Sequence, residues 1–113
     1  MRTKYNEVFK DFVKVMPVKV KEQLNDKQVR ICWETAIENI EWELGDNVSV
    51  GKFKSVIILE AVRCALYYYI SILNLDIDKG KCAKIALKEA NKSLKFVDKT
   101  IKQKCKTLNK IIL

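Results

Sequence analysis

Lysine is the residue type most clearly arranged for a chemical role in this chain. Nine lysines recur at steps of three or four residues in the last third of the sequence: Lys81, Lys84, Lys88, Lys92, Lys95, Lys99, Lys102, Lys106 and Lys110. On an ideal helix, at about 100° per residue, all nine fall within an arc about 80° wide. No acidic residue falls within that arc. We call this set the lysine stripe and predict that it attracts an anionic partner.

Two interpretations of the lysine stripe are open. Like charges three or four residues apart destabilise a helix by ~0.2–0.5 kcal/mol per pair, and the phosphates or carboxylates of a partner would offset that cost. Phe96 and Ile85 lie at the edge of the stripe, so an apolar contact can accompany the charge. The alternative is a solvated face of a lysine-rich chain. If nucleic acid binds, lysine favours phosphate neutralisation over base reading, so sequence specificity should be weak.

Charge is unevenly distributed along the chain, which has a formal net charge of +8. Residues 79–113 hold eleven lysines and two acids, whereas residues 1–78 hold eleven basic and twelve acidic groups. Such asymmetry suggests nucleic acid, a membrane surface or an acidic protein as partner.

Catalysis is disfavoured by composition. The chain has no histidine, which removes the commonest general base and metal ligand. No glycine-rich phosphate loop is present, and the glutamates lack the Glu-x-x-His pattern of di-iron bundles. We therefore predict a protein that is not an enzyme and that has no metal and no cofactor.

The four cysteines form no CxxC pair and no zinc-ligand spacing. Cys82 and Cys105 would lie ~35 Å apart on one helix, too far to bridge. The first twelve residues lack the apolar run of a secretory signal. We expect free thiols and a cytoplasmic location.

Helical periodicity dominates the sequence and predicts an all-α fold. We predict one domain over residues 1–113, an antiparallel bundle of four main helices with a short extra helix near 18–24. Pro17 should end the first main helix, and Asn25 with Gln28 should form a capping box that begins the second, which should end at Gly45. The main helices are predicted at about 3–16, 26–44, 50–74 and from 79 to the C-terminus.

The apolar run 56–75 has the length of a membrane span, but Glu60 and Arg63 interrupt it. We predict a central bundle helix, with Leu66 and Ile70 in the core, and no transmembrane segment. A polar seam follows this helix at Glu60, Arg63, Tyr67, Ser71 and Asn74. It is either a functional groove with an arginine anchor or a solvent-facing strip with a Glu60–Arg63 ion pair.

A second candidate face lies on the helix at 26–44. Ile31, Glu38 and Trp42 fall about opposite its core face. A tryptophan outside the core stripe can anchor a protein interface. It can equally belong to a second core layer covered by the N-terminal helix.

Two resemblances bear on function. The stretch ILEAVRCALYYYISILNL, residues 58–75, resembles the tyrosine-rich helix of HEPN-type helical domains. Nucleases of that group carry an arginine followed a few residues later by histidine, and no histidine follows Arg63, so the resemblance does not extend to nuclease activity. In size, basicity and helical content the chain also resembles bacteriocin immunity proteins, which are small four-helix bundles.

These patterns together predict a non-catalytic binding protein. The lysine stripe, with Phe96, would engage nucleic acid, a nucleoprotein complex or an acidic protein, for example as inhibitor or accessory subunit of a nucleic-acid-processing machine. One alternative is an immunity-like protein acting at a membrane face. Another is a structural homo-oligomer joined through Trp42 or the C-terminal residues 111–113. We expect a monomer or a homodimer.

Overall fold

The computed structural model describes residues 3–45, 48–75 and 80–112, and the side chains of residues 4–45, 48–75 and 80–106. A 3₁₀ turn, Thr3–Tyr5, leads into five α-helices. They are α1 (Asn6–Val15), α2 (Val18–Gln23), α3 (Asp26–Leu44), α4 (Val50–Leu75) and α5 (Lys81–Ile112). No strand occurs in these described ranges. The all-α prediction is confirmed, with four main helices and the short extra helix at α2.

Local signals set the ends of α3 as predicted. The Asn25 side chain accepts a hydrogen bond from the Gln28 backbone N–H at 2.8 Å, and the Gln28 side chain accepts one from the Asn25 N–H at 2.8 Å. This capping box satisfies two N–H groups that have no partner within the helix. At the other end Gly45 adopts φ 83°, a left-handed conformation that favours glycine, and its N–H bonds to the Glu41 carbonyl at 2.8 Å.

α4 is the central helix of the bundle. α1, α2, α3 and α5 all pack on it, and α3 and α5 pack chiefly on α4 rather than on each other. By length and composition α4 could also cross a membrane, a criterion that the core helix of a soluble bundle satisfies as well. Its packing against four other helices is that of a bundle core.

Aromatic side chains from α1 cover Trp33 of α3. The Phe12 ring stacks on Trp33 with centroids 5.6 Å apart, and the Phe9 ring meets it edge-on at 5.3 Å. Trp33 and Phe12 are completely buried, so this aromatic cluster is part of the core and holds α1 against α3.

Leu66 provides a test of the core. It lies on α4 and is 2% exposed, while Ile70 one turn later is partly buried against the same core. Leu66→Ala should lower the free energy of unfolding by ~2–5 kcal/mol, because it leaves a cavity among packed side chains. Urea unfolding measures this. Leu75→Ala is the matched control on the same helix, since Leu75 is 86% exposed and should change stability little. Equal effects of the two substitutions would contradict the packing described.

Candidate functional site

The lysine stripe lies on the outer surface of α5. Its eight lysines from Lys81 to Lys106 are all solvent-exposed, and the side chain of Lys110 lies outside the described residues. Ala90, Leu94 and Val97 are buried on the opposite side of α5, so they hold it against α4 and turn the lysines outward. From Lys81 to Lys106 the stripe is ~37 Å long at 1.5 Å per residue.

Both acidic residues of α5 are turned away from the stripe. Glu89 pairs with Lys19 of α2 at 3.2 Å, and Asp98 lies 3.5 Å from Arg63 of α4. Among the described side chains, no ion pair includes a lysine of the stripe. The positive charge of this surface is therefore not neutralised within the described part of the chain, and it would favour an anion.

Phe96 and Ile85 border the stripe as predicted. Phe96 is 70% exposed and Ile85 is also exposed. Beside Phe96 a shallow groove of about 480 Å³ opens between α5, α4 and the turn before α2. Apolar side chains form much of its lining, and Lys92 and Glu89 lie at its edge; the lining residues are Pro17, Val62, Leu66, Glu89, Lys92, Ser93, Phe96 and Val97. The stripe thus combines charge with a place for an apolar group.

The α3 surface carries the second predicted site. Ile31 and Glu38 are exposed, and Trp42 is 88% exposed. The interpretation that the N-terminal helix covers Trp42 as a second core layer is wrong, because α1 packs over Trp33 on the other face of α3. Trp42 is instead one of the residues that line a groove of about 580 Å³ between α3, α4 and α5. The structure does not bring the α3 site and the lysine stripe together: they lie on separate helices.

The polar seam of α4 is partly buried, and its interpretation as a solvent-facing strip is wrong for Glu60. Glu60 is 5% exposed. Arg63 donates to its Oε1 from Nη2 at 2.6 Å and from Nε at 3.2 Å, so the predicted ion pair is present. Asn39 of α3 also donates to Oε1, at 3.2 Å. Tyr67, one helical turn after Arg63, is exposed, which agrees with the interpretation of this part of the seam as a solvent-facing strip.

Arg63 links three helices through this network. It bonds Glu60 on its own helix and lies 3.5 Å from Asp98 of α5, while Asn39 brings α3 to the same carboxylate. Burial would lower the pKa of Arg63, but the hydrogen bond and charge of Glu60 outweigh it and hold the pKa above its usual value. Sequence reasoning identified the Glu60–Arg63 pair but missed Asn39 and Asp98, because nothing in their local spacing links them to α4.

Two thiols beside this network are poor nucleophiles. Burial, reinforced by the negative charge of Glu60, raises the pKa of Cys64 to about 12. Burial likewise raises the pKa of Cys105, with Glu60 and Glu43 adding to the effect. A thiol in this state carries almost no thiolate at neutral pH. The network therefore positions helices and offers no activated nucleophile.

The comparisons with known proteins identify no relative. No protein family, no curated protein and no solved structure matches this chain. The described residues also contain no group of three or more histidine, cysteine, aspartate or glutamate side chains that could hold a metal ion.

Proposed function

We propose that this protein is a non-catalytic binding protein whose lysine stripe engages an anionic macromolecule, with nucleic acid as the favoured partner. The observation that carries the proposal is the placement of eight exposed lysines on one face of α5 while both acids of that helix are paired elsewhere. A solvated face usually mixes charges of both signs, and this face does not.

Nucleic acid is favoured because the stripe is long and regular. Lysines follow one another every ~5 Å along ~37 Å of helix, and a duplex presents a continuous array of phosphates over such a length. A lysine ammonium is a point charge that neutralises a phosphate without reading a base. Binding should therefore depend strongly on salt and weakly on sequence. A role as inhibitor or accessory subunit of a nucleic-acid-processing machine, in the cytoplasm, fits this mode of binding.

The test replaces Lys88, Lys95 and Lys102 together by glutamine. Glutamine is a good helix former, so folding should be unchanged or slightly improved as like-charge repulsion falls. Affinity for a labelled DNA duplex longer than the stripe should fall at least ~10-fold at low salt. The slope of log affinity against log salt should flatten by up to ~0.9 for each phosphate that is no longer neutralised. Fluorescence anisotropy at several salt concentrations measures both quantities.

The matched control removes three exposed lysines outside the stripe: Lys10, Lys14 and Lys52. It changes the net charge equally and should retain most of the affinity. Equal reductions of DNA affinity in the two triple variants would mean that affinity depends on the net charge of the protein alone. The stripe would then be a solvated face. If the protein binds polyglutamate instead of DNA, the partner of the stripe is an acidic protein. If it binds anionic vesicles instead, the partner is a membrane face.

A further inference from the structure

Phe96 is an exposed aromatic side chain at the edge of the lysine stripe. It is 70% exposed, so it contributes little to the core of the bundle. Lys92 lies four residues before it and Lys99 three residues after it, and both lysines are exposed. Residues three or four apart are neighbours on the surface of a helix. An anionic chain that runs along Lys92 and Lys99 therefore passes directly beside the Phe96 ring.

The groove of about 480 Å³ beside Phe96 adjoins the stripe, because Lys92 and Phe96 both contribute to its lining. Its apolar side chains include Val62 and Leu66 of α4 and Val97 of α5, which are buried. A group that enters this groove from the stripe would contact an aromatic ring and an apolar floor. It must therefore present an apolar face to the protein.

Polar groups in the groove do not oppose an anionic chain. Among the described residues of the lining, Glu89 is the one acid, and it pairs with Lys19 of α2 at 3.2 Å. Its negative charge is thus compensated, and Lys92 adds a positive charge on the side of the stripe. Ser93, also in the lining and exposed, offers a hydroxyl that can donate or accept a hydrogen bond.

An unpaired nucleotide combines the groups that this surface would bind. Its phosphates are anionic, its base has a flat π face, and the edge of the base is polar. Proteins that bind single strands use positive charge along the backbone together with aromatic side chains on which bases stack. In a duplex the base faces are covered by neighbouring base pairs, so a surface ring reaches them only where a base is unpaired.

We propose that the lysine stripe binds single-stranded nucleic acid, with one unpaired base stacked on Phe96 at the groove and the adjoining phosphates neutralised by Lys92 and Lys99. This inference rests on the proposed function, since it names the form of nucleic acid that the stripe prefers. A duplex still binds the lysines through its phosphates, but it gains nothing from Phe96. Stacking tolerates every base, so the sequence preference stays weak.

Phe96→Leu tests the stacking. Leucine keeps an apolar side chain and is a good helix former, but it has no ring. Affinity for labelled oligothymidylate should fall at least ~5-fold, because one base no longer stacks. Affinity for a DNA duplex of the same length should change less than ~2-fold, and the salt slope for either probe should stay as in the wild type, because no charge is lost. Fluorescence anisotropy at several salt concentrations measures these quantities.

A strand of the same length without bases shows whether the ring acts on a base. This abasic strand retains the phosphates, so the wild type should bind it at least ~5-fold more weakly than oligothymidylate. Most of that difference should disappear in Phe96→Leu, because the ring and the base contribute through one shared contact.

Trp42→Leu is the matched control, since it removes another exposed aromatic ring that lies on α3 and outside the stripe. Its affinity for all three probes should equal that of the wild type, and circular dichroism shows that each variant is folded. The inference is overturned if Phe96→Leu binds oligothymidylate like the wild type, if it loses affinity equally for the duplex, or if the wild type binds the abasic strand as tightly as oligothymidylate. Duplex binding that still depends on Lys88, Lys95 and Lys102 in those cases would leave the proposed function standing.

Discussion

Arg63→Met is expected to lower the free energy of unfolding by ~3 kcal/mol, near the lower end of the range for breaking a buried ion pair. The substitution removes the main partner of Glu60, whose side chain is only 6% exposed and would keep its charge away from water. The effect is placed low in the range because a third of Arg63 is exposed and Asn39 still donates to Glu60. Urea unfolding at neutral pH measures the change.

Two further variants separate the buried charge from the loss of packing. Lys54→Met breaks the exposed ion pair with Asp11, which has a separation of 2.8 Å, and should cost less than ~1 kcal/mol. Replacing Glu60 by leucine together with Arg63 by methionine removes both charges from the interior, so this double variant should be more stable than Arg63→Met alone. A double variant less stable than Arg63→Met would show that the network contributes more than charge compensation.

The elements of the fold follow from local chemistry that is visible in the sequence. Asn25 and Gln28 are three residues apart, the spacing of a capping box, and Gly45 stands where the helix pattern stops. Pro17 follows α1 and fixes the break before α2. Each of these signals acts within one helical turn, so neighbouring residues suffice to predict it.

The arrangement of the helices depends on contacts that local patterns do not contain. Trp33 and Trp42 lie on opposite faces of α3, and the sequence could not decide whether α1 covers one of them or both. The aromatic rings Phe9 and Phe12 cover Trp33 alone. In the same way Asp98 lies beside Arg63 only because α5 packs on α4 in this register. The exposure of the lysine stripe was predictable, since its periodicity lies within one helix.

Cys64 is expected to react with iodoacetamide at least ~10³-fold more slowly than an ordinary exposed thiol at pH 8. Burial raises its pKa from 9.0 to about 12, and the thiolate is the reactive form, so the reactive fraction falls about a thousandfold. Cys82, which is exposed on α5, should be labelled first. Mass spectrometry of peptides after timed alkylation gives the rate for each cysteine.

The pH dependence and the unfolded chain provide the controls for Cys64. Its labelling rate should rise about tenfold per pH unit through pH 9 without a plateau, because its pKa lies near 12. Because the pKa of Cys64 is higher in the folded protein than in the unfolded chain, the free energy of unfolding should fall as pH rises above about 9. In that range the unfolded thiol ionises and the folded thiol does not. In guanidinium chloride all four cysteines should react at similar rates. Labelling of Cys64 in the folded protein as fast as Cys82 would contradict its burial beside Glu60 and Arg63.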